Sequence, residues 1–241
     1  MIETVPELPS TNAALLARLS GGGRPSEGAW LVADRQTAGR GRAGRAWSDG
    51  AGNFMGSTVA WLRAGDPIAP TLALVAGLAV HRAVRDVAQD LPGLSLKWPN
   101  DVLVDGAKLA GILLERQGDA IVVGIGVNLA SAPDVPGRQT QSLAALGFDV
   151  PRDAFAARLE TRWSLLLSRW HAGEWPALRE EWLAVAHPAG TPIVVRDGEG
   201  EPIAGTFAGI DANGIALLRL ADGTMRVIAA GDVELVAEDK L

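Results

Sequence analysis

The fold of this chain is decided by residues 97–115, which read KWPNDVLVDGAKLAGILLE. Asp105-Gly106 is typical of two-residue β-hairpin turns, and it separates two apolar runs, residues 102–104 and 109–114. Another turn and another apolar run follow directly in the sequence. We therefore predict an antiparallel meander in this part of the chain.

Helical periodicity flanks the meander on both sides. Before it, the polar triplet Ser10-Thr11-Asn12 precedes a short apolar helix, and Pro70 opens a long one. Together with two strands ahead of the long helix, the pattern predicts an α/β (α+β) fold with a mixed, largely antiparallel sheet. The expected segments are strands at 29–33 and 54–62 and helices at 13–19, 71–91, 152–172 and 175–186.

The pattern changes after His187-Pro188. Short apolar runs then alternate with turn dipeptides such as Asp197-Gly198 and Asn213-Gly214. Five short strands in about 50 residues are typical of a small β-barrel. We therefore predict two domains, residues 1–186 and residues 187–241.

Composition excludes several classes of protein. The 241 residues include no cysteine, which excludes disulfides, thiolate catalysis and cysteine-bound metal. No apolar run is long enough to span a membrane, and no signal peptide is visible. We therefore expect a cytoplasmic protein that does not bind a membrane. The net charge of −6 argues against nucleic acid as a partner.

Residues 36–53 form a glycine- and arginine-rich loop. Within it, residues 39–44 match the letters G-x-G-x-x-G, but no helix follows, so a dinucleotide site is disfavoured. Glycines let main-chain amides approach a phosphate, and arginines add planar charged donors. The alternatives for this loop are an anion-binding site, with Trp47 stacked on a base, and a solvated basic loop.

Lysine is rare in this chain, and two of its three lysines, Lys97 and Lys108, lie on either side of the predicted hairpin. Both ammonium groups can therefore serve one cleft. Asp101 lies between them in sequence and is a candidate ligand for magnesium, although an Asx turn explains it equally well. Glycines at 124 and 126 indicate close approach of a ligand or a β-bulge.

These motifs, in this order, resemble those of the biotin–protein ligases. The resemblance rests on Ser10-Thr11-Asn12, the loop from Gly39 to Trp47, the elements 97–101 and 108–112, and residues 124–128. It implies a class II synthetase-like catalytic domain followed by an SH3-like barrel. Because the first motif begins at residue 10, we expect no N-terminal DNA-binding domain and no DNA partner.

The resemblance also implies an activity. Members of the family activate biotin with ATP and Mg²⁺ to biotinyl-5'-AMP, and then transfer biotin to a lysine of a biotin carboxyl carrier protein domain. Lys108 and Arg42 would be catalytic. The residues implied at biotin are Ser10, Thr11, Asn12, Gln36, Gly39, Arg40, Gly41, Arg42, Lys108, Gly111, Gly124 and Gly126. Those implied at the nucleotide are Arg45, Trp47, Lys97, Asn100 and Asn128, with Asp101 facing the metal.

The chain departs from the family pattern at two points. Many relatives have a basic residue where this chain has Ala43, and some bring a basic residue of the last domain to the nucleotide. Arg226 is the nearest candidate for that role here. A lipoate or octanoyl ligase or transferase of the same fold remains the main alternative. A nucleotide-dependent oxidoreductase and a non-catalytic RNA- or protein-binding module are less favoured, and a homodimer paired at a sheet edge stays open.

Overall fold

The computed structural model describes residues 1–48, 50–196, 201–229 and 231–236, with the backbone alone at Asp232. Two sheets organise these residues. The larger has seven strands in the order β1-β2-β3-β7-β6-β5-β4, and only its β1–β2 pair is parallel. Its strands are β1 (Ile2–Leu8), β2 (Trp30–Gln36), β3 (Phe54–Trp61), β4 (Leu94–Lys97), β5 (Asp101–Val104), β6 (Ala107–Gln117) and β7 (Ala120–Val127). The mixed, largely antiparallel sheet is therefore confirmed.

The hairpin at Asp105-Gly106 forms as the sequence predicts. Both residues have positive φ angles, 48° and 80°, as a tight two-residue turn between twisted strands requires. The preceding motif adds one more turn to the meander. Lys97 pairs directly with Asp101 across β4 and β5, so residues 98–100 form a turn of their own.

Four helices cover the two faces of this sheet. They are α1 (Thr11–Ser20), α2 (Thr71–Val87), α3 (Arg152–His171) and α4 (Trp175–Val185). Helix α1 packs on one face, against Leu31, Val59 and Val122. Helices α2, α3 and α4 pack on the other, where Trp163 and other large side chains are fully buried. No helix in the described part of the chain is both long and apolar enough to cross a membrane.

The first strand was not expected. Residues 2–8 read IETVPEL, and their burial does not alternate as it does in a strand with one buried face. Pro6 also cannot donate to a ladder. Both features suit an edge strand, which is the place of β1 in the sheet.

The C-terminal part forms the second, five-stranded sheet. It contains β8 (Pro192–Arg196), β9 (Ile203–Ile210), β10 (Ala216–Arg219), β11 (Met225–Ile228) and β12 (Asp232–Leu235), in the order β11-β10-β9-β8-β12. All neighbouring strands are antiparallel. The turn expected at Asp197-Gly198 lies outside the described residues, and the boundary at residue 187 stays a prediction.

Side chains of the larger part hold this sheet in place. Trp98 Nε1 donates to Gly214 O at 2.9 Å, and Trp175 Nε1 donates to Ala212 O at 2.6 Å. Apolar residues of both sheets also belong to one continuous core. As a result, strand β12 lies beside the β4–β5 turn.

Candidate active site

A cavity of about 860 Å³ opens on the α1 face of the large sheet. Its walls come from the start of α1, the loop after β2, strands β5, β6 and β7, and strand β12 of the second sheet. Every residue that the sequence assigned to biotin, nucleotide or metal lines it, except Gly39. Gly39 shapes the loop instead, because a Cβ there would lie 2.7 Å from Trp47 O.

The charge of the lining is opposite to that of the chain. Among the described residues, six basic side chains and two carboxylates line the cavity, although the whole chain carries a net charge of −6. The basic residues are Arg40, Arg42, Arg45, Lys97, Lys108 and Arg138, and the acidic residues are Asp101 and Glu234. Such a site favours anionic ligands.

A neutral hydrogen-bonded network forms one end of the cavity. The Ser10 hydroxyl caps α1 by accepting from Ala13 N at 3.4 Å. Thr11 N donates to Gln36 Oε1 at 2.7 Å, and Thr11 Oγ1 lies 2.6 Å from Ser57 Oγ. The polar triplet Ser10-Thr11-Asn12 therefore both begins α1, with Ser10 as its N-cap, and presents its side chains to the cavity.

Two members of this network were missed in the sequence. Ser57 Oγ donates to Asn12 Oδ1 at 2.5 Å, and Asn12 Nδ2 donates to Glu115 Oε2 at 2.8 Å. Ser57 pairs with Gly124 across β3 and β7. A single serine and a single glutamate inside strands belong to no motif, so only the register of the sheet brings them together.

Gly124 makes room for this network. A Cβ at Gly124 would lie 2.2 Å from Asn12 Oδ1, so a larger residue would displace the amide. The sequence left a ligand contact and a β-bulge open for this glycine, and the structure shows close approach of a side chain.

The arginine-rich loop is tied to the sheet by its side chains. Arg40 Nη2 lies 3.2 Å from the Glu115 carboxylate, and Arg42 Nη1 donates to Asn100 Oδ1 at 3.0 Å. Arg45 Nε donates to Arg42 O at 3.3 Å, and a short 3₁₀ turn covers Arg42–Gly44. These contacts place three guanidinium groups along one side of the cavity.

The Trp47 indole lies against two glycines of the cavity floor. A Cβ at Gly126 would be 2.3 Å from Trp47 Cε2, and one at Gly111 would be 3.1 Å from Trp47 Cζ3. Lys108 Nζ lies 5.8 Å from the centre of the indole ring, within cation–π range. Trp47 Nε1 is buried without a hydrogen-bond partner among the described residues, so it can serve a polar ligand.

Asp101 lies between the two lysines. Lys108 Nζ is 2.6 Å from Asp101 Oδ1, and Lys97 Nζ is 3.3 Å from Asp101 Oδ2. Burial opposes ionisation of this carboxyl, but attraction from Lys108 and then Lys97 outweighs it and lowers the pKa of Asp101. The carboxylate therefore remains charged and fixes both ammonium groups.

The contacts of Asp101 also decide whether this carboxylate is suited to bind magnesium. Both oxygens of Asp101 already meet ammonium groups, and the described residues contain no cluster of three or more histidine or acidic side chains able to hold a metal ion. This donor set does not fit an ion held by the protein itself. The metal contact expected at Asp101 stays a prediction that the local geometry disfavours.

The side-chain amides of Asn100 and Asn128 hydrogen-bond to the main chain around the site. Asn100 Nδ2 donates to Ile112 O at 2.7 Å, and Asn128 Nδ2 donates to Gln141 O at 3.1 Å and to Lys108 O at 3.4 Å. Asn128 is 2% exposed. Both amides hold the main chain beside Lys108, and their contacts with a nucleotide stay predictions.

The second sheet reaches the cavity in a way that the sequence did not predict. Lys97 Nζ donates to Val233 O at 3.0 Å, and Val233, Glu234 and Leu235 line the cavity. The suggestion of Arg226 is wrong, because this residue lies on β11 at the opposite edge of the sheet and does not line the cavity. The second sheet therefore contacts Lys97 through the main-chain carbonyl of Val233 and not through a basic side chain.

Comparison with known proteins assigns the chain to a family. The pattern of the Biotin/lipoate A/B protein ligase family matches residues 6–129, and that of the Biotin protein ligase C terminal domain matches residues 190–236. A biotin–[acetyl-CoA-carboxylase] ligase of Paracoccus denitrificans is 40% identical, over 93% of this chain and 96% of the relative. The chain belongs to the biotin/lipoate protein ligase family.

Solved structures of biotin protein ligases share the fold. The ligase of Aquifex aeolicus, in complex with biotin and ATP, matches with a TM-score of 0.84 and 29% identity, over 98% of this chain and 99% of that one. The ligase of Leishmania major, in complex with biotinyl-5-AMP, matches with a TM-score of 0.66 and 27% identity, over 95% and 98% of the two chains. The ligase fold and its C-terminal antiparallel sheet are therefore confirmed for this chain.

Proposed function

We propose that this protein activates biotin with ATP to biotinyl-5'-AMP and transfers biotin to a lysine of a biotin carboxyl carrier protein domain. The observation that carries the proposal is the composition of one cavity. A neutral hydrogen-bonding end, around Thr11, Asn12 and Gln36, continues into a basic end around Lys97 and Lys108. Such a cavity suits a neutral polar ring with a carboxylate tail that must meet a polyphosphate.

The first step joins two anions. The biotin carboxylate attacks the α-phosphorus of ATP, a new O–P bond forms, and pyrophosphate leaves with the electrons of the broken P–O bond. Repulsion between carboxylate and phosphate is the main obstacle, and fixed positive charge lowers it. Lys108 would meet the reacting oxygens, while Arg42 and Arg45 would hold phosphate oxygens. Mg²⁺ would enter with ATP as part of the substrate, and no step needs a metal held by Asp101.

The second step transfers biotin. The uncharged amine of the carrier lysine attacks the carbonyl carbon of the mixed anhydride, AMP leaves, and the nitrogen loses a proton. No histidine lines the cavity within the described ranges, so we assign no histidine to proton transfer. Positioning of the reactants and charge stabilisation carry the chemistry.

The polar end of the cavity favours biotin over lipoate or octanoate. The head group of biotin has a carbonyl acceptor and two N–H donors, whereas a dithiolane or an alkyl chain has no such groups. An apolar ligand would displace water from the polar atoms of Thr11, Asn12 and Gln36 that face the cavity without hydrogen-bonding to them, at a cost in affinity. The biotin–[acetyl-CoA-carboxylase] ligase from Paracoccus denitrificans supports the same choice.

One assay tests the proposal. The purified protein is incubated with ATP and Mg²⁺ and with biotin, lipoic acid or octanoic acid, and pyrophosphate release is measured. We expect release with biotin alone, followed by labelling of a biotin carboxyl carrier domain but not of its variant lacking the acceptor lysine. Release with lipoic acid and not with biotin would assign the chain to the lipoate branch. Size-exclusion chromatography with light scattering tests the homodimer in the same preparation.

A further inference from the structure

Glu115 lies outside every motif of the sequence and does not line the cavity, yet two groups of the site converge on it. Its carboxylate accepts from Asn12 Nδ2 at 2.8 Å and from Arg40 Nη2 at 3.2 Å. Asn12 belongs to the neutral end of the cavity, and Arg40 belongs to the loop. The Glu115 carboxylate therefore contacts both the neutral end of the cavity, through Asn12, and the arginine-rich loop, through Arg40.

The charge of Glu115 sets the direction of a chain of hydrogen bonds. An ionised carboxylate can only accept, so the amide of Asn12 must turn its NH₂ group toward Glu115. Its oxygen Oδ1 then faces Ser57, and the Ser57 hydroxyl donates to it at 2.5 Å. The single hydrogen of that hydroxyl is used in this bond.

The same order of hydrogen-bond donors and acceptors continues to Thr11, which lines the cavity. Because Ser57 Oγ has given its hydrogen to Asn12, the Thr11 hydroxyl donates to Ser57 Oγ across their 2.6 Å contact. The longer contact of Thr11 Oγ1 with Gln36 Oε1, at 3.2 Å, shares this one hydrogen. Thr11 Oγ1 is thereby an acceptor toward any further group. Thr11 N meanwhile donates to Gln36 Oε1 at 2.7 Å, which turns the NH₂ group of Gln36 away from α1. One carboxylate thus fixes which atoms of Thr11 and Asn12 accept and which donate.

A neutral group in place of Glu115 would remove this constraint. Glutamine at this position offers both a donor and an acceptor, so the Asn12 amide could turn over and the hydroxyls of Ser57 and Thr11 could reverse with it. The network would then have two arrangements in place of one. A ring with fixed donors and a fixed acceptor binds only one of them well.

We propose that Glu115 is a positioning residue that selects the head group of the substrate. It does so by holding Asn12, Ser57 and Thr11 in one hydrogen-bonding direction and by anchoring Arg40 of the loop to the same carboxylate. This inference rests on the proposed function, because it takes the cyclic urea of biotin as the group that the hydrogen-bonded network of Asn12, Ser57 and Thr11 recognises.

The variants Glu115→Gln, Glu115→Asp and Glu3→Gln test the proposal. Glu3 of β1 is the matched control, because its carboxylate pairs at 2.8 Å with Arg18 of α1, the helix that carries Asn12, but lies outside the cavity. Biotin and lipoic acid affinities are measured by calorimetry, and KM for biotin, KM for ATP and kcat are measured by pyrophosphate release. Thermal unfolding checks the fold of each variant.

We expect Glu115→Gln to weaken biotin binding by about tenfold or more, since hydrogen bonds to charged groups are the strong ones. The affinity for lipoic acid, the KM for ATP and the kcat at saturating biotin should change by less than about threefold. Glu115→Asp keeps the charge and should recover part of the biotin affinity. Glu3→Gln should match the wild type.

Three outcomes would overturn the proposal. They are unchanged biotin affinity in Glu115→Gln, equal losses for biotin and lipoic acid, and a fall in kcat without a change in the KM for biotin. A wild-type protein that binds no biotin would contradict the proposed function as well, whereas a normal wild type with an unaffected variant contradicts the role of Glu115 alone.

Discussion

Lys108 Nζ lies 2.6 Å from Asp101 Oδ1, so the lysine assigned to the reacting anions is held by a carboxylate at the edge of the cavity. A second ammonium, that of Lys97, occupies the other oxygen at 3.3 Å. The attraction of the carboxylate for each ammonium group offsets the repulsion between the two lysines. Incoming phosphate or carboxylate groups would compete with Asp101 for both lysines.

Replacing Lys108 by alanine should lower the rate of adenylate formation by about 10²- to 10³-fold, because one fixed charge at the reacting oxygens is lost. Biotin-dependent exchange of pyrophosphate into ATP measures this step. Arg116→Ala is the matched control, because Arg116 lies on the same strand and its Nε donates to Gly118 O outside the cavity. Near-normal exchange in Lys108→Ala would remove the lysine from the catalytic step.

Asp101→Asn should change how stability depends on pH. The pKa of Asp101 is lowered in the folded protein, so its contribution is present above the pKa of the unfolded chain, about 4, and is lost as pH falls through the lower folded value. The difference in free energy of unfolding between wild type and variant should therefore be largest at neutral pH and shrink below about pH 4. Urea unfolding at several pH values measures it.

The control for this measurement is Asp90→Asn, which removes an exposed carboxylate beyond the end of α2. It reports the effect of one lost negative charge without the two lysine contacts. If the difference for Asp101→Asn stays constant from pH 7 to the acid range, the carboxylate is not stabilised by Lys97 and Lys108 as the distances imply.

Gly124→Ala should impair biotin binding, because the new Cβ would lie 2.2 Å from Asn12 Oδ1. Gly126→Ala should instead displace the Trp47 indole, whose Cε2 would be 2.3 Å away. We expect the first variant to raise the KM for biotin by about tenfold or more, the size of effect that loss of a charge-assisted contact produces. Gly77→Ala is the control, since its nearest atom would be an ordinary 3.6 Å away and alanine favours the helix.

Arg42→Gly should weaken retention of the adenylate more than its synthesis. Arg42 ties the loop to the β4–β5 turn through Asn100, and biotinyl-5'-AMP is a reactive anhydride that needs protection from water and from stray amines. The variant, incubated with ATP, biotin and an unrelated lysine-rich protein, should label that protein. Arg24→Gly, whose guanidinium lies 4.1 Å from the Trp61 ring outside the cavity, should not.

Labelling confined to the true carrier in Arg42→Gly, with adenylate synthesis intact, would assign retention to another residue. Loss of synthesis and labelling together would instead make the contact of Arg42 with phosphate in the first step its main role. The two outcomes separate because pyrophosphate release and protein labelling are measured independently.

Much of the fold could be predicted from the sequence because short local patterns specify its turns and helices. Asp105-Gly106 can form a tight hairpin by itself, and the apolar period of residues 152–171 specifies a helix without help from distant residues. Strand β1 could not be predicted, because an edge strand with a proline and an irregular burial pattern lacks the alternation of apolar and polar residues that marks a strand. Its pairing with β2 depends on tertiary contact.

The same distinction applies to the site. Residues inside compact motifs, such as Asn12, Arg42 and Lys108, were proposed for the site from the sequence and line one cavity. Ser57 and Glu115 join the network only through the register of β3, β6 and β7, and Val233 joins only through the packing of the second sheet. Single residues placed by register leave no local signal in one sequence.

Besides the apolar core that the two sheets share, three side chains of the larger part hydrogen-bond to main-chain carbonyls of the C-terminal part. Lys97, Trp98 and Trp175 donate to the carbonyl oxygens of Val233, Gly214 and Ala212. Every residue type offers a carbonyl at such a position, so these anchor points tolerate drift in the side chains above them. A chimera carrying the corresponding sheet of a distant relative would therefore preserve the bond to Lys97, provided that the turn and the last strand keep their backbone path and that the apolar core between the two sheets is matched.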